Sequence, residues 1–284
     1  MRTSTSTANT SANWTRPATR ISRLFERLRR QGRPALIAYL TAGDPSLERT
    51  PDLVAALERG GVDLIELGVP FSDPVADGPV IQRASERALK AGTTLRGVLE
   101  VAEQIRGRSQ IPILLFSYLN PVLRFGFARL AEEAAKRGID GCLLTDLSVE
   151  EAEDYVATMA RCGLDTVFLA APTSTDRRLQ LVSRYSSGFI YLVSRTGVTG
   201  ERDRLSEAAR TLVERVRAIT SLPLALGFGI SKPEHVAEAG TLVDAVVVGS
   251  AFVRIIEQKA GTTELEESLE KFARQLSQAL PRRS

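Results

Sequence analysis

The chain has 284 residues, 43% hydrophobic and 25% charged, with a formal net charge of +3. That allows one large core or two smaller ones, and so small a charge, interleaved with Glu and Asp, argues against the basic stripe of a nucleic-acid binder. Two cysteines outside any CxxC pair (Cys142 and Cys162) and a single histidine, His235, argue against a zinc or His-rich metal centre and point to a reducing, cytoplasmic setting, while no apolar run reaches the ~20 residues of a membrane span.

Residues 1–20 are rich in Ser, Thr and Asn and hold no acid, which predicts a disordered N-terminal extension. An arginine-bearing organelle transit peptide has the same composition and stays open as an alternative. Ile21 to Arg30 is a short amphipathic helix, with Ile21, Leu24, Phe25 and Leu28 on one stripe. Ala35 to Leu40 is the first strand. A helix follows, with Thr50 as N-cap, Pro51 at its first position and Gly60-Gly61 as its stop. Val62 to Leu67 is the second strand, followed by helices over Pro79 to Ala91 and Thr94 to Arg106. Ile111 to Phe116 is the third strand and Ala128 to Arg137 a helix. After the fourth strand, Gly141 to Thr145, Ser148 to Glu151 fits a capping box. Thr166 to Ala170, Phe189 to Val193, Pro223 to Leu226 and Asp244 to Val248 complete the strands. Helices lie between them and run on to Ala279, and Ser194 to Arg204 is a long loop.

Eight short apolar strands alternating with helices predict parallel βαβ units. Eight units in one chain predict a single (β/α)8 TIM barrel over residues 21–284, with an extra N-terminal helix. A doubly wound sheet is the alternative, but no GxGxxG follows the first strand. The units read as architectural repeats without detectable sequence identity.

In such a barrel the chemistry sits at the C-terminal strand ends. Gly227 to Ser231 follows the seventh strand, and Gly249-Ser250-Ala251 follows the eighth and opens a helix. Gly197 to Gly200 follows the sixth. Three glycine-bearing loops on consecutive strands suit a phosphate, with backbone N–H groups at a helix start as donors; a tight turn would explain any one of them alone. Glu66 ends the second strand on the face of Val62 and Leu64. With Leu64 inside the barrel, Glu66 projects into the mouth, where apolar surroundings would raise its pKa for general acid and base work. Asp77 stands beside the helix that Pro79 opens, whose positive end would keep it ionised. Taken singly, a capping Asp and a salt-bridged Glu explain the same residues. Tyr118 and Tyr191, near strand ends, either contact a substrate or plug the barrel. Cys142 reads as a core residue, and His235 and Arg195 as surface.

Ile65 to Pro74 followed by Ala76-Asp77-Gly78-Pro79 resembles the signature loop of the tryptophan synthase alpha subunit family. Thr41 to Pro45, Tyr118 to Pro121, Tyr191 to Gly200, Gly227 to Ile230 and Val248 to Ala251 match it in order and spacing. The resemblance runs from about residue 22 through the last helix. It implies retro-aldol cleavage of indole-3-glycerol phosphate to indole and glyceraldehyde 3-phosphate. It implies that Glu66 moves the protons and that Asp77 accepts the indole N–H. Tyr118 would contact the substrate, Tyr191 and Thr199 would lie near the catalytic carboxylate, and Gly200, Gly229, Gly249 and Ser250 would bind phosphate. It further implies an α2β2 complex whose beta subunit carries pyridoxal phosphate and receives indole, while this chain holds no cofactor. The loops Phe71 to Pro79 and Ser194 to Arg204 would face that partner. Ser148, Thr145 and the N-terminal extension depart from the family pattern. A stand-alone indole-3-glycerol-phosphate lyase, a non-catalytic sugar-phosphate-sensing subunit and another phosphate-binding barrel enzyme such as a sugar-phosphate isomerase are the rival readings.

Overall fold

The computed structural model describes residues 18–193, 207–227 and 229–282. The expected extension therefore falls mostly outside the described residues, as do Arg195, Thr199 and Gly200. Eight parallel strands close on themselves in chain order, each bonded to the next and the last to the first. They are β1 (Ala35–Thr41), β2 (Leu64–Gly68), β3 (Ile113–Ser117), β4 (Gly141–Leu144), β5 (Asp165–Ala170), β6 (Ile190–Val193), β7 (Leu224–Gly227) and β8 (Ala245–Val248). The helices are α1 (Arg20–Arg30), α2 (Thr50–Arg59), α3 (Pro79–Lys90), α4 (Leu95–Arg108), α5 (Leu119–Phe125), α6 (Phe127–Lys136), α7 (Glu153–Arg161), α8 (Asp176–Tyr185), α9 (Glu207–Arg217), α10 (Pro233–Leu242), α11 (Ser250–Lys259) and α12 (Leu265–Ala279).

Strand alternation divides the core in two. Leu36, Ala38, Ile65, Leu67 and Leu115 point outward and pack against the helices. Ala35, Ile37, Leu64, Leu114, Leu143, Val167, Phe189, Ala225, Ala245 and Val247 fill the barrel. Helix α1 plugs its floor: Ile21, Leu24, Phe25 and Leu28 join the interior cluster, and Phe25 meets Phe189 with ring centroids 5.8 Å apart. Thr19 caps α1 through Ser22 N and donates to the Asp165 carboxylate.

Local details depart from the expectations. Thr50 is inside α2 rather than its cap; its Oγ1 accepts from Gly43 N at 3.1 Å and donates to Ser46 O at 3.0 Å, bracing the loop after β1. Two helices, not one, follow β3. Pro121 is tolerated in the first turn of α5, where N–H groups lack helical acceptors anyway, and Gly126, at φ 92°, turns the chain into α6. The expected capping box is absent. Ser148 donates to Glu150, a 3-10 turn occupies Val149–Glu151, and α7 starts only at Glu153. Val62 precedes β2 and packs in the outer layer, so it does not share the interior face of Leu64.

The barrel units also share a sequence element that the linear reading missed. Gly61-Val62-Asp63, Gly138-Ile139-Asp140 and Gly163-Leu164-Asp165 each lead into a strand, with the glycines at φ 96°, 79° and 72°. Only glycine takes that left-handed turn readily, and the aspartate that follows lands on the barrel floor. Asp63 accepts from Leu36 N at 2.9 Å and Asp140 from Ile113 N at 2.8 Å. Asp244, before β8, likewise accepts from Leu224 N at 2.8 Å. Arg33 grips Asp63 with two bonds of 2.8 and 2.7 Å; Arg20 and Arg106 share Asp140, each at 2.9 Å; Arg217 pairs with Asp244.

Candidate active site

Glu66 follows Leu64 by two residues on the interior face of β2 and is 1% exposed at the barrel mouth. Its neighbours across the sheet are Tyr39 on β1 and Leu114 on β3. Among the described residues no arginine or lysine pairs with it, and its Oε1 has no hydrogen-bond partner. Burial without a compensating charge disfavours the ionised form and lifts its pKa to about 8. At neutral pH Glu66 is therefore largely a carboxylic acid with a proton to give.

Asp77 is half-buried in the loop between β2 and α3. It does not cap α3: Gly78 occupies the cap position and Pro79 begins the helix. Burial raises its pKa to about 6, and a hydrogen bond with Tyr118 pulls in the opposite direction. At a value below neutrality the group remains mostly ionised, with burial opposing that state. The two carboxylates straddle neutrality, one mostly protonated and the other mostly charged.

Tyr118 is buried at the start of α5, and its hydroxyl accepts from Ala76 N at 3.0 Å besides bonding Asp77. Its ring lies 5.1 Å from that of Phe71, so one side chain holds both ends of the loop that carries Asp77. Thr145 is half-buried below it and hydrogen-bonds the same hydroxyl, so the threonine bears on Tyr118. Tyr191 rises from the barrel interior two residues after Phe189 and lies in the electrostatic neighbourhood of Glu66 and Asp77. The ring fills the barrel, as one of the two expected alternatives has it, and the hydroxyl reaches the mouth.

Tyr39 was not singled out in the sequence. It is buried on β1, its hydroxyl 3.3 Å from Thr41 Oγ1, its ring edge-on to Phe116 at 5.2 Å. Tyr39 and Tyr191 are placed alike. Tyr39 is in register with Glu66 and its hydroxyl lies over Gly68; Tyr191 is in register with Ala225 and its hydroxyl lies over Gly227. A Cβ at either glycine would collide with the tyrosine oxygen. Glycine at these strand ends therefore makes room for two phenols beside Glu66.

Gly249 caps α11 and Ser250 is its exposed first residue, so the free N–H groups of that turn open at the end of β8, with no acid in the turn. Gly229, exposed at φ 81°, lies in the loop after β7. These two loops are neighbours in the barrel. Cys142 is buried in the outer core, Cys162 and His235 are half-buried, and both cysteines are free thiols. Among the described residues no His, Cys, Asp and Glu cluster could hold a metal ion, and no helix is long and apolar enough to cross a membrane.

A closed (β/α)8 barrel with titrating carboxylates at its C-terminal mouth belongs to the enzyme class of this fold. Comparison with known proteins narrows this. The profile of the tryptophan synthase alpha chain family matches residues 25–281, and the chain belongs to that family, placing it among lyase-type enzymes of tryptophan biosynthesis. It is 68% identical to the tryptophan synthase alpha chain of Solibacter usitatus, over 94% of this chain and 100% of that one. The crystal structure of tryptophan synthase subunit alpha from Legionella pneumophila superposes with a TM-score of 0.85 at 34% identity, over 93% of this chain and 98% of that one. A structure from Pyrococcus furiosus, described as showing mutual activation of the α2β2 complex, gives 0.81 at 41% identity, over 86% and 98%.

Proposed function

We propose that this chain cleaves indole-3-glycerol phosphate to indole and glyceraldehyde 3-phosphate, and passes the indole to a beta subunit in an α2β2 complex. The observation that carries the reading is Glu66, a buried acid with no cation partner and a pKa near 8, beside an Asp77 with a pKa near 6. In the first step Glu66 gives its proton to C3 of the indole ring. Asp77 accepts a hydrogen bond from the ring N–H and stabilises the positive charge that develops there. The bond from C3 to the glycerol chain then breaks, its electrons returning to the ring. The carbon left behind becomes the aldehyde as Glu66 takes the proton of its hydroxyl, restoring the acid. One carboxyl group thus serves as acid and then base, and no net proton is consumed.

Tyr118 fixes Asp77, and Tyr39 and Tyr191 border the proton-carrying group. Gly229, Gly249 and Ser250, with Thr199 and Gly200 from the loop outside the described residues, are assigned to the phosphate end of the substrate. The partner reading is supported by Val75, 75% exposed in the loop before Asp77, and Leu123, 55% exposed on α5, two large apolar side chains left bare on the mouth side. Pyridoxal phosphate is expected only in that partner, and the two free thiols fit a cytoplasmic setting.

Indole release measured by absorbance tests the chemistry. Glu66→Gln is expected to lower kcat by about 10²–10⁴-fold with phosphate binding kept; near-normal turnover would overturn the assignment. Assay with and without a beta subunit separates the complex from a stand-alone lyase, since high unaided turnover would favour the latter.

A further inference from the structure

Two helices border the mouth with their first turns. Helix α3 begins at Pro79, two residues after Asp77, and α11 begins at Ser250 in the loop assigned to phosphate. A single ligand that touches both ends of the site needs these turns at a fixed separation. The helices meet at an apolar joint formed by Ala84 of α3, Val253 of α11 and the ring of Tyr39 between them. Beside that joint lies a charged one. Arg83 and Arg87, one turn apart on α3, both grip Glu257 of α11: Arg83 with bonds of 2.7 and 3.0 Å, Arg87 with one of 2.9 Å. Arg87 also forks onto Asp44, in the loop after β1, at 2.9 and 2.7 Å. Asp44 is completely buried. A bidentate guanidinium is rigid in a way that a lone ammonium is not.

We propose that Arg87 is a positioning residue for the cleavage reaction, which clamps α3 to α11 and so sets the span between the Asp77 loop and the phosphate end of the site. The inference rests on the proposed function, since it needs Asp77 and the α11 N-terminus to hold opposite ends of one substrate. The spacing along α3 favours it. Arg83 and Arg87 flank Ala84, and Pro79 lies only about 6 Å along the axis from Arg83, so the clamp holds the helix about one turn from the loop that carries Asp77. Misplacement on the scale of 1 Å is enough to lower a rate by up to about 10²-fold.

Two variants release the clamp while sparing the fold. Glu257→Gln leaves the Arg87–Asp44 fork in place, and Arg87→Lys keeps a positive charge beside the buried carboxylate; circular dichroism checks that each is folded. Three affinities are read alongside kcat: for indole alone, for inorganic phosphate alone, and for a non-cleavable ligand in which a three-carbon chain joins an indole to a phosphate. The expectation is a fall in kcat of about tenfold and a similar loss of affinity for the joined ligand, with each fragment bound within about twofold of the parent protein. A purely structural ion pair would lower thermal stability and leave that ratio alone. Glu270→Gln, which breaks the α2–α12 pair Arg59–Glu270, serves as the control and is expected to change none of the four quantities. Unchanged kcat and joined-ligand affinity in both clamp variants would overturn the clamp alone, as would equal loss of both fragments. Failure of the parent protein to bind phosphate at all would overturn the site reading and the clamp with it.

Discussion

Asp63, Asp140 and Asp244 on the barrel floor each meet an arginine and a strand N–H, whereas Glu66 and Asp77 at the mouth meet no arginine or lysine among the described residues. All are carboxylates of one barrel, and Asp63, just ahead of β2, and Glu66, within it, lie toward opposite ends of that barrel. At the floor, charge is neutralised at once and the ladder starts are tied together. At the mouth, a carboxyl is buried unpaired, so its proton is shared between protein and reaction at neutral pH. Stability is built into one end and withheld from the other, the trade expected where chemistry needs a strained ionisation.

Removing a floor carboxylate should break the comparison most visibly. Asp140→Asn strips Arg20 and Arg106 of their shared partner, and a loss of about 3–5 kcal/mol in urea unfolding is expected, as for a broken buried pair. The folded fraction should retain its kcat; a fall in kcat would mean that the floor also serves the chemistry. The mouth should respond with the opposite sign. Glu66 has a folded pKa near 8, above its unfolded value of 4.5, so the stability associated with its proton is complete below pH 4.5 and is lost as pH rises through 8. Glu66→Gln should therefore stabilise the fold, by on the order of a few kcal/mol at pH 8 and little at pH 4. A Tm difference that stayed flat across that range would show that Glu66 is not buried in its charged form.

Activity should follow the same two ionisations. The profile of kcat/KM is expected to be a bell, rising near pH 6 as Asp77 loses its proton and falling near pH 8 as Glu66 loses its own. The smallest effect belongs to Tyr118→Phe. It removes a hydrogen bond that holds Asp77 down and another to Ala76 N, so a loss of about 3–10-fold in kcat/KM is expected, the scale of about 1 kcal/mol. The acid limb should move to higher pH; a shift to lower pH would contradict the role given to that bond.

Much of this was legible in the linear chain, for physical reasons. The strands are short apolar runs between Gly and Pro breaks, and their alternation with helices is what the closed barrel uses. Glu66 stood out because an acid two residues from an inward Leu64 has only the mouth to enter. Tyr39 did not, because β1 is buried on both faces and its apolar run shows no period of two. The floor aspartates were hidden for another reason: their partners Arg20, Arg106 and Arg217 are brought to them only by closure of the barrel. The degree to which Asp77 is desolvated was not legible, since that depends on Tyr118 and Phe71, which pack against each other across its loop.

The plug formed by α1 has a practical corollary. Thr19 is fastened to the floor at Asp165, and at the other end of the chain Pro281 packs beside Gly240 near Pro34, just ahead of β1. Among the described residues the chain thus begins and ends on the side away from the mouth. Labels attached at floor positions beside Thr19 or Pro281 would sit beneath the barrel, leaving the rim free to take up ligand or meet another protein.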